Sequence, residues 1–110
     1  MEFINLHTHS YTKDDSILEV VNQYPWEFDE VIPQYSIGIH PWYIDEDRLK
    51  SDLKSIEQKL QLKECLALGE CGLDKRIEIP FQKQIKVFQQ QIEVVQKTTK
   101  PIILHCVASF

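Results

Sequence analysis

The chain has 110 residues, enough for one domain or part of one. Its formal net charge of −5 disfavours a broad electrostatic platform for nucleic acid, because non-specific phosphate binding depends on lysine and arginine. The acidic charge does not exclude a nuclease, because bound metals can supply local positive charge. The sequence lacks a run of about 18 apolar residues, which excludes a membrane span. The 3 cysteines include no Cys-x-x-Cys pair, so a reduced, cytoplasmic setting is expected.

The first predicted element is a strand from Phe3 to His7, with His9 just beyond it. Residues i and i+2 of a strand share one face, so His7 and His9 are expected to point toward one place. Imidazole is the commonest metal-binding side chain, so these two histidines are candidate metal ligands. The alternative is an N-terminal strand with two surface histidines.

A capping-box pattern at Ser16 and Glu19 predicts a first helix, which Pro25 would stop. The second predicted strand covers residues 35–40. It ends in a histidine directly before Pro41, which has no N–H to donate to further pairing.

Two more helices and two more strands follow. Asp45 is placed to cap the second helix, and Pro80 suits the first turn of the third. The third and fourth strands are predicted at residues 65–70 and 102–106. The helices show apolar residues at helical spacing: Leu49, Leu53, Ile56 and Leu60 in one, and Phe81, Ile85, Phe88, Ile92 and Val95 in the other.

The predicted order is β-α-β-α-β-α-β. Strands that alternate with helices at this spacing imply right-handed crossovers and a parallel sheet, so the fold class is α/β built from parallel βα units.

The predicted strands end in polar residues that can perform chemistry. Carboxyl ends of parallel strands share one edge, where α/β folds carry their sites. Imidazoles with a carboxylate suit zinc, manganese or a similar ion. Asp74 is either a partner that orients a ligand histidine or a turn residue. The strand-end residues are His7, His9, His40, Glu70 and His105, of which His40 is a candidate substrate contact or a structural histidine.

Cysteine catalysis is the weaker interpretation. Cys106 follows His105 on a strand, so it is expected to face away from the histidine, as a core thiol. Cys71 lies near the strand ends, but the sequence places no histidine to activate it.

Four motifs together resemble the TatD family of metal-dependent hydrolases, which are deoxyribonuclease-like members of the amidohydrolase superfamily with a (β/α)8 barrel. The match runs in order over essentially the whole chain, and the Gly-Glu-x-Gly-Leu-Asp run is the most specific part. The motifs are His7-Thr-His9, Ile39-His40-Pro41, Gly69-Glu70-Cys71-Gly72-Leu73-Asp74 and Leu104-His105-Cys106.

The resemblance implies a site with two divalent ions, of zinc, manganese or magnesium. It implies that His7 and His9 bind one ion, and that Glu70 bridges to a second ion bound by His105. It implies that His40 contacts the substrate. The expected activity is hydrolysis of DNA or another phosphodiester by water that the two metals activate, with Glu70 as the catalytic carboxylate.

The sequence departs from the family pattern in three respects. Cys71 stands where an aliphatic residue is usual, and Val107 stands where a basic residue often meets phosphate. The family barrel needs eight strands, and four are predicted here. We therefore expect residues 1–110 to be the N-terminal half of a truncated barrel, whose exposed strand edges favour self-association. A further metal-binding histidine and an aspartate expected from the family match no residue.

Two alternatives differ in function. One is an amide or lactone hydrolase of the same superfamily, and the other is a catalytically dead fragment or module that binds metal without turnover. Residues 5–10 alone also resemble the polymerase-and-histidinol-phosphatase family, whereas residues 69–74 favour the TatD family.

Overall fold

The sheet is parallel and follows the order of the chain. In the computed structural model, which describes residues 3–13 and 17–107, its strands are β1 (Phe3–Thr8), β2 (Ile17–Gln23), β3 (Tyr35–Ile37), β4 (Cys65–Asp74) and β5 (Ile102–Val107). The helices are α1 (Glu46–Leu60) and α2 (Phe81–Val95), and a 3₁₀ turn, Pro41–Tyr43, precedes α1. The sheet is a curled, open part of a TIM-type barrel, which confirms the predicted fold class. All carboxyl ends lie along one edge.

Residues 17–23 form strand β2, so the predicted first helix is wrong. The segment is rich in β-branched residues and has the length of a strand, and both properties outweigh the capping pattern. Ser16 lies outside the described residues. Glu19 does not cap a helix; its carboxylate accepts hydrogen bonds from the backbone N–H and hydroxyl of Thr12. The sheet therefore has five strands among the described residues, where four were predicted.

A loop joins β2 to β3 and packs on the sheet, and residues 26–34 were expected to be a loop. Residues 24–34 join β2 to β3, and this segment contains no helix. Its side chains Trp26, Phe28 and Ile32 pack against the buried core. The amide of Gln23 donates to the backbone oxygen of Asp29 and accepts from its N–H, at 3.1 and 2.7 Å. The loop is thereby fixed to the strand that it follows.

Helix α1 begins as predicted. The side chain of Asp45 accepts a hydrogen bond from the N–H of Asp47 at 2.9 Å, which satisfies one of the free donors of the first turn. Ile56 and Leu60 are fully buried against the sheet. No described helix has both the length and the apolar character needed to cross a membrane.

Helix α2 begins after Pro80 as predicted, but its buried face is partly polar. The Gln91 amide accepts from the N–H of Ile39 at 2.8 Å and donates to its carbonyl oxygen. The Gln84 amide accepts from the N–H of Asp74 at 2.8 Å and donates to its carbonyl oxygen. The predicted apolar stripe is only half-buried, apart from Val95; the buried residues are Gln84, Val87, Gln91 and Val95.

Strands β4 and β5 differ from the prediction in length and cover. β4 continues to Asp74, beyond residue 70, where the third strand was predicted to end. On β5, Leu104 and Cys106 are exposed, on the face opposite His105. The prediction that Cys106 is a core thiol is therefore wrong, because no described helix covers this face.

Replacing Gln91 with leucine is expected to lower the free energy of unfolding by about 1–3 kcal/mol, because the buried backbone groups of Ile39 lose their partner. Urea unfolding measures this change. Gln89→Leu, at an exposed position on the same helix, is the matched control and should stay within about 0.5 kcal/mol of the wild type. Equal effects of the two substitutions would contradict the role of the Gln91 amide.

Candidate metal centre

Glu70 occupies an irregularity in the sheet. In the pairing of β4 with β5, Gly69 lies opposite Ile103 and Cys71 opposite Leu104, so Glu70 is an extra residue between two paired positions. A bulge of this kind bends a strand and changes the direction of a side chain. It therefore sets where the carboxylate of Glu70 points.

Glycines allow three strands to approach closely around Glu70. Gly69 and Gly72 have φ angles of 141° and 143°, a region that side chains rarely adopt. A Cβ at Gly69 would lie 2.5 Å from the carbonyl oxygen of Ile103, and one at Gly72 would overlap that of His105. A Cβ at Gly38 would lie 2.9 Å from the Cα of Gly69. The three glycines therefore serve close packing within the sheet.

The structure brings the predicted strand-end residues together around one carboxylate. Oxygen Oε1 of Glu70 lies 3.6 Å from Nε2 of His7 and 3.8 Å from Nε2 of His9. The same oxygen is 3.8 Å from Nε2 of His40. The other oxygen, Oε2, lies 3.1 Å from Nδ1 of His105. Glu70 thus faces all four histidines of the chain.

The donor atoms fit a divalent metal. Two ligands held about 2.1 Å from one zinc ion are roughly 3–3.5 Å apart, close to the separations observed around Glu70. Two groups each keep one atom per residue within 4.8 Å of one another: His7, His9 and Glu70, and His40, Glu70 and His105. Nδ1 of His7 is buried and has no hydrogen-bond partner among the described residues. Imidazole and carboxylate donors suit zinc or manganese.

Asp74 orients His105. Its Oδ2 lies 3.1 Å from Nε2 of His105. Hydrogen bonds from the side chains of Arg76 and Trp42 hold the pKa of Asp74 well below its usual range, so the group is an ionised acceptor. An acceptor at Nε2 fixes the proton of a neutral imidazole there. The lone pair is then on Nδ1, the nitrogen that faces Glu70, as in carboxylate–histidine–metal arrangements.

His40 differs from His105 in what its ring presents to Glu70. Burial lowers the pKa of His40 to about 4, so the ring is neutral at pH 7. Its Nδ1 accepts a hydrogen bond from the N–H of Trp42 at 3.1 Å. The ring proton is therefore on Nε2, which faces Glu70. His40 offers a hydrogen-bond donor to this space, whereas Nδ1 of His105 offers a lone pair.

The sequence model of a known family covers this site in full. The model described as TatD related DNase matches residues 2–110. The chain belongs to this family. The resemblance that the motifs indicated is thereby confirmed.

Curated relatives of this TatD-family chain are named as nucleases. A "3'-5' ssDNA/RNA exonuclease TatD" from Erwinia billingiae is 34% identical over 73 residues, which cover 63% of this chain and 26% of the relative. The human "3'-5' RNA nuclease TATDN2" is 30% identical over 73 residues, covering 64% of this chain and 10% of that protein. A TatD exonuclease from Pantoea ananatis is 32% identical over 71 residues, covering 63% and 26%. The aligned region thus spans about a quarter of the bacterial relatives.

Three residues of this TatD-family site escaped the sequence analysis. The side chain of Asn22 accepts hydrogen bonds from the backbone N–H of Glu70 and the hydroxyl of Ser36. Trp42 and Arg76 both donate to Asp74. The sequence did contain signals for these residues. Asn22 is a polar residue next to an apolar run, and Trp42 and Arg76 each lie two residues after a predicted site residue.

The buried cysteine nearest the site is not activated. Burial raises the pKa of Cys71 to about 12, which keeps the thiol protonated at neutral pH. This agrees with the preference for metal chemistry over cysteine catalysis.

Replacing His40 with asparagine is expected to weaken the pH dependence of stability between pH 6.5 and 4. The pKa of His40 in the folded state, about 4, lies below its ordinary value of 6.5. The unfolded chain therefore binds more protons in this window, and the wild type loses stability as the pH falls through it. Urea unfolding at several pH values measures the slope. The exposed His9→Asn is the control, and an unchanged slope in His40→Asn would contradict the buried neutral imidazole.

Proposed function

We propose that this chain carries metal-binding residues of a TatD-type phosphodiesterase that acts on DNA or another phosphodiester. The observation that carries the proposal is the position of Glu70, whose two carboxylate oxygens face four imidazoles at the carboxyl edge of the sheet. The names of the curated relatives, all nucleases, support the class of substrate.

In this proposal two divalent ions share Glu70. His7, His9 and Glu70 would hold one ion of zinc, manganese or magnesium, and Glu70 with His105 would hold the other. Bound ions of this kind lower the pKa of water and offset the negative charge of a phosphoryl group under attack. The group of His7, His9 and Glu70, and the Glu70–His105 pair of the second group, support this assignment.

The other residues act by positioning and hydrogen bonding. His40 donates its Nε2 proton to a phosphoryl oxygen of the substrate, because its Nδ1 is already an acceptor. Asp74 keeps the Nδ1 lone pair of His105 toward Glu70. Asn22 fixes the backbone of Glu70 through its N–H.

Arg76 supplies the cation that the family pattern places after Cys106. Val107 occupies that position and pairs with Asp74 across the sheet. The guanidinium of Arg76 binds the Asp74 carboxylate at 3.0 and 3.1 Å, and its side chain is 57% exposed. Asp74 offsets the charge of this guanidinium, but its remaining N–H groups lie beside the position of the missing basic residue, where they can donate to a phosphate.

Replacing Glu70 with glutamine is expected to weaken binding of zinc or manganese at least tenfold, because the shared carboxylate becomes a neutral amide. Calorimetric titration with each metal measures this loss. Metal-dependent cleavage of an oligonucleotide by the same protein should fall with it. Glu78→Gln, at an exposed position, is the matched control. A Glu70→Gln protein with full metal binding and full activity would refute the assignment.

Assays of the protein on phosphodiester, amide and lactone substrates separate the alternative functions. Hydrolysis of amides or lactones without hydrolysis of phosphodiesters would indicate a different member of the superfamily. Metal binding without hydrolysis of any of these substrates would indicate a metal-binding module.

We also propose that residues 1–110 form the N-terminal half of the family barrel. The five described strands leave β1 and β5 as edges, and the exposed Ile102 and Leu104 lie on β5. Such edges pair readily with further strands, either of the same protein or of a second copy.

The 110-residue chain is therefore expected to self-associate as its concentration rises. Light scattering over a range of concentrations measures this association. Replacing Leu104 with lysine should weaken it, because a charge on an edge strand opposes pairing. A stable monomer with cooperative unfolding at high concentration would contradict the expectation.

A further inference from the structure

Four aromatic side chains lie beside the candidate metal centre: Tyr24, Trp26, Trp42 and Tyr43. Tyr24 and Trp26 stack with ring centroids 4.9 Å apart and an angle of 9° between the rings. Tyr43 lies 5.5 Å from Tyr24 and 5.5 Å from His40. We call these four side chains the aromatic wall.

The aromatic wall contacts the metal-site histidines directly. The ring of Trp42 lies 4.9 Å from that of His40 and 5.8 Å from that of His105. Any molecule held at Glu70 would therefore meet an aromatic surface at once. Trp42 and Tyr43 are 47% and 44% exposed, which is high for large side chains with apolar rings.

Two clefts follow this wall. One, of about 390 Å³, is lined by Trp42, Tyr24 and Tyr43 together with residues of the metal centre. The other, of about 240 Å³, is lined by Tyr24, Trp26, Glu27 and Tyr43. Tyr24 and Tyr43 line both clefts, so the two clefts adjoin at these rings.

The side chain of Arg48 contacts two members of the wall. The guanidinium of Arg48 lies 4.2 Å from the centre of the Trp26 ring, and its NH2 group donates to the backbone oxygen of Tyr43 at 2.9 Å. The same side chain pairs with the buried Asp52 at 3.0 Å. A rigid surface loses little conformational entropy when a planar ligand binds to it.

We propose that the aromatic wall binds the nucleobase next to the phosphodiester held at Glu70. The base stacks on Tyr43, and its edge meets Trp42, whose ring lies at 74° to that of Tyr43. This inference rests on the proposed function. Every nucleobase has a flat π-face, so stacking of this kind tolerates any sequence. A base inside a duplex is stacked on its neighbours and must leave them first, so unpaired strands are favoured.

The two tryptophans of the chain, Trp26 and Trp42, both belong to the wall, so intrinsic fluorescence reports its occupation. The test titrates the 110-residue protein, at fixed salt and with EDTA, with a short oligothymidylate. A second titration uses an oligomer of equal length in which every nucleotide is abasic. The two ligands carry the same phosphates, so their difference measures the bases. We expect quenching and at least tenfold tighter binding with thymine present.

Two substitutions of Tyr43 test the wall itself. Tyr43→Leu should reduce the preference for the thymine oligomer at least tenfold, whereas Tyr43→Phe should retain it. Leu62→Ala is the control, since Leu62 is also 44% exposed but lies away from the metal centre. Equal urea midpoints for Tyr43→Leu and the wild type show that the variant is folded.

The outcomes separate this inference from the proposed function. Equal affinity for the two oligomers, or no binding of either, overturns the inference, even if metal-dependent hydrolysis is observed. Base-dependent quenching by a protein whose metal binding and activity are unchanged in Glu70→Gln supports the wall as a base-binding surface and removes the proposed metal centre. Base-dependent quenching that is unchanged in Tyr43→Leu also overturns the inference.

Discussion

The carboxylate of Glu70 faces imidazole nitrogens of four histidines at 3.1–3.8 Å, and the surrounding backbone is shaped by this convergence. The bulge in β4 turns the side chain, the glycines let neighbouring strands approach, and Asn22 holds the backbone N–H. A sheet that served only to bury apolar surface would need none of these three features. All three features occur at Glu70, which indicates that the sheet is irregular here because the position of this carboxylate requires it.

The site is supported from the far side of the sheet as well. β3 ends at Ile37 and β4 at Asp74, so the backbone beyond them must find partners other than a strand. Helix α2 supplies these partners through the amides of Gln84 and Gln91, which are buried where apolar side chains would be usual. Unsatisfied groups in a low-dielectric interior are unfavourable, and the helix therefore restrains the residues beside His40 and His105.

Topology made much of the site predictable. Once the strands were known to be parallel, Glu70 and His105 had to lie near one edge, whatever the details of packing. The helix predicted at residues 17–23 was wrong because residues 19–23 of this strand are buried on both faces. Such a strand shows no polar alternation, so a local capping pattern decided the prediction. The roles of Asn22 and Gln91 depend on which backbone groups lose their strand partners. That information is held in three-dimensional contacts, and the spacing of residues along the chain does not contain it.

The segment of residues 24–34 has two jobs at once. Phe28 and Ile32 pack on the core, while Tyr24 and Trp26 line a cleft near the candidate metal centre. In most α/β folds a helix performs the first task and a separate loop the second, so loops can diversify freely. Here one short segment both packs on the core and lines the cleft. Trp26 both packs on the core and lines a cleft, so a substitution there that changes what the cleft accepts also changes the stability of the sheet and requires stabilising changes elsewhere in the chain.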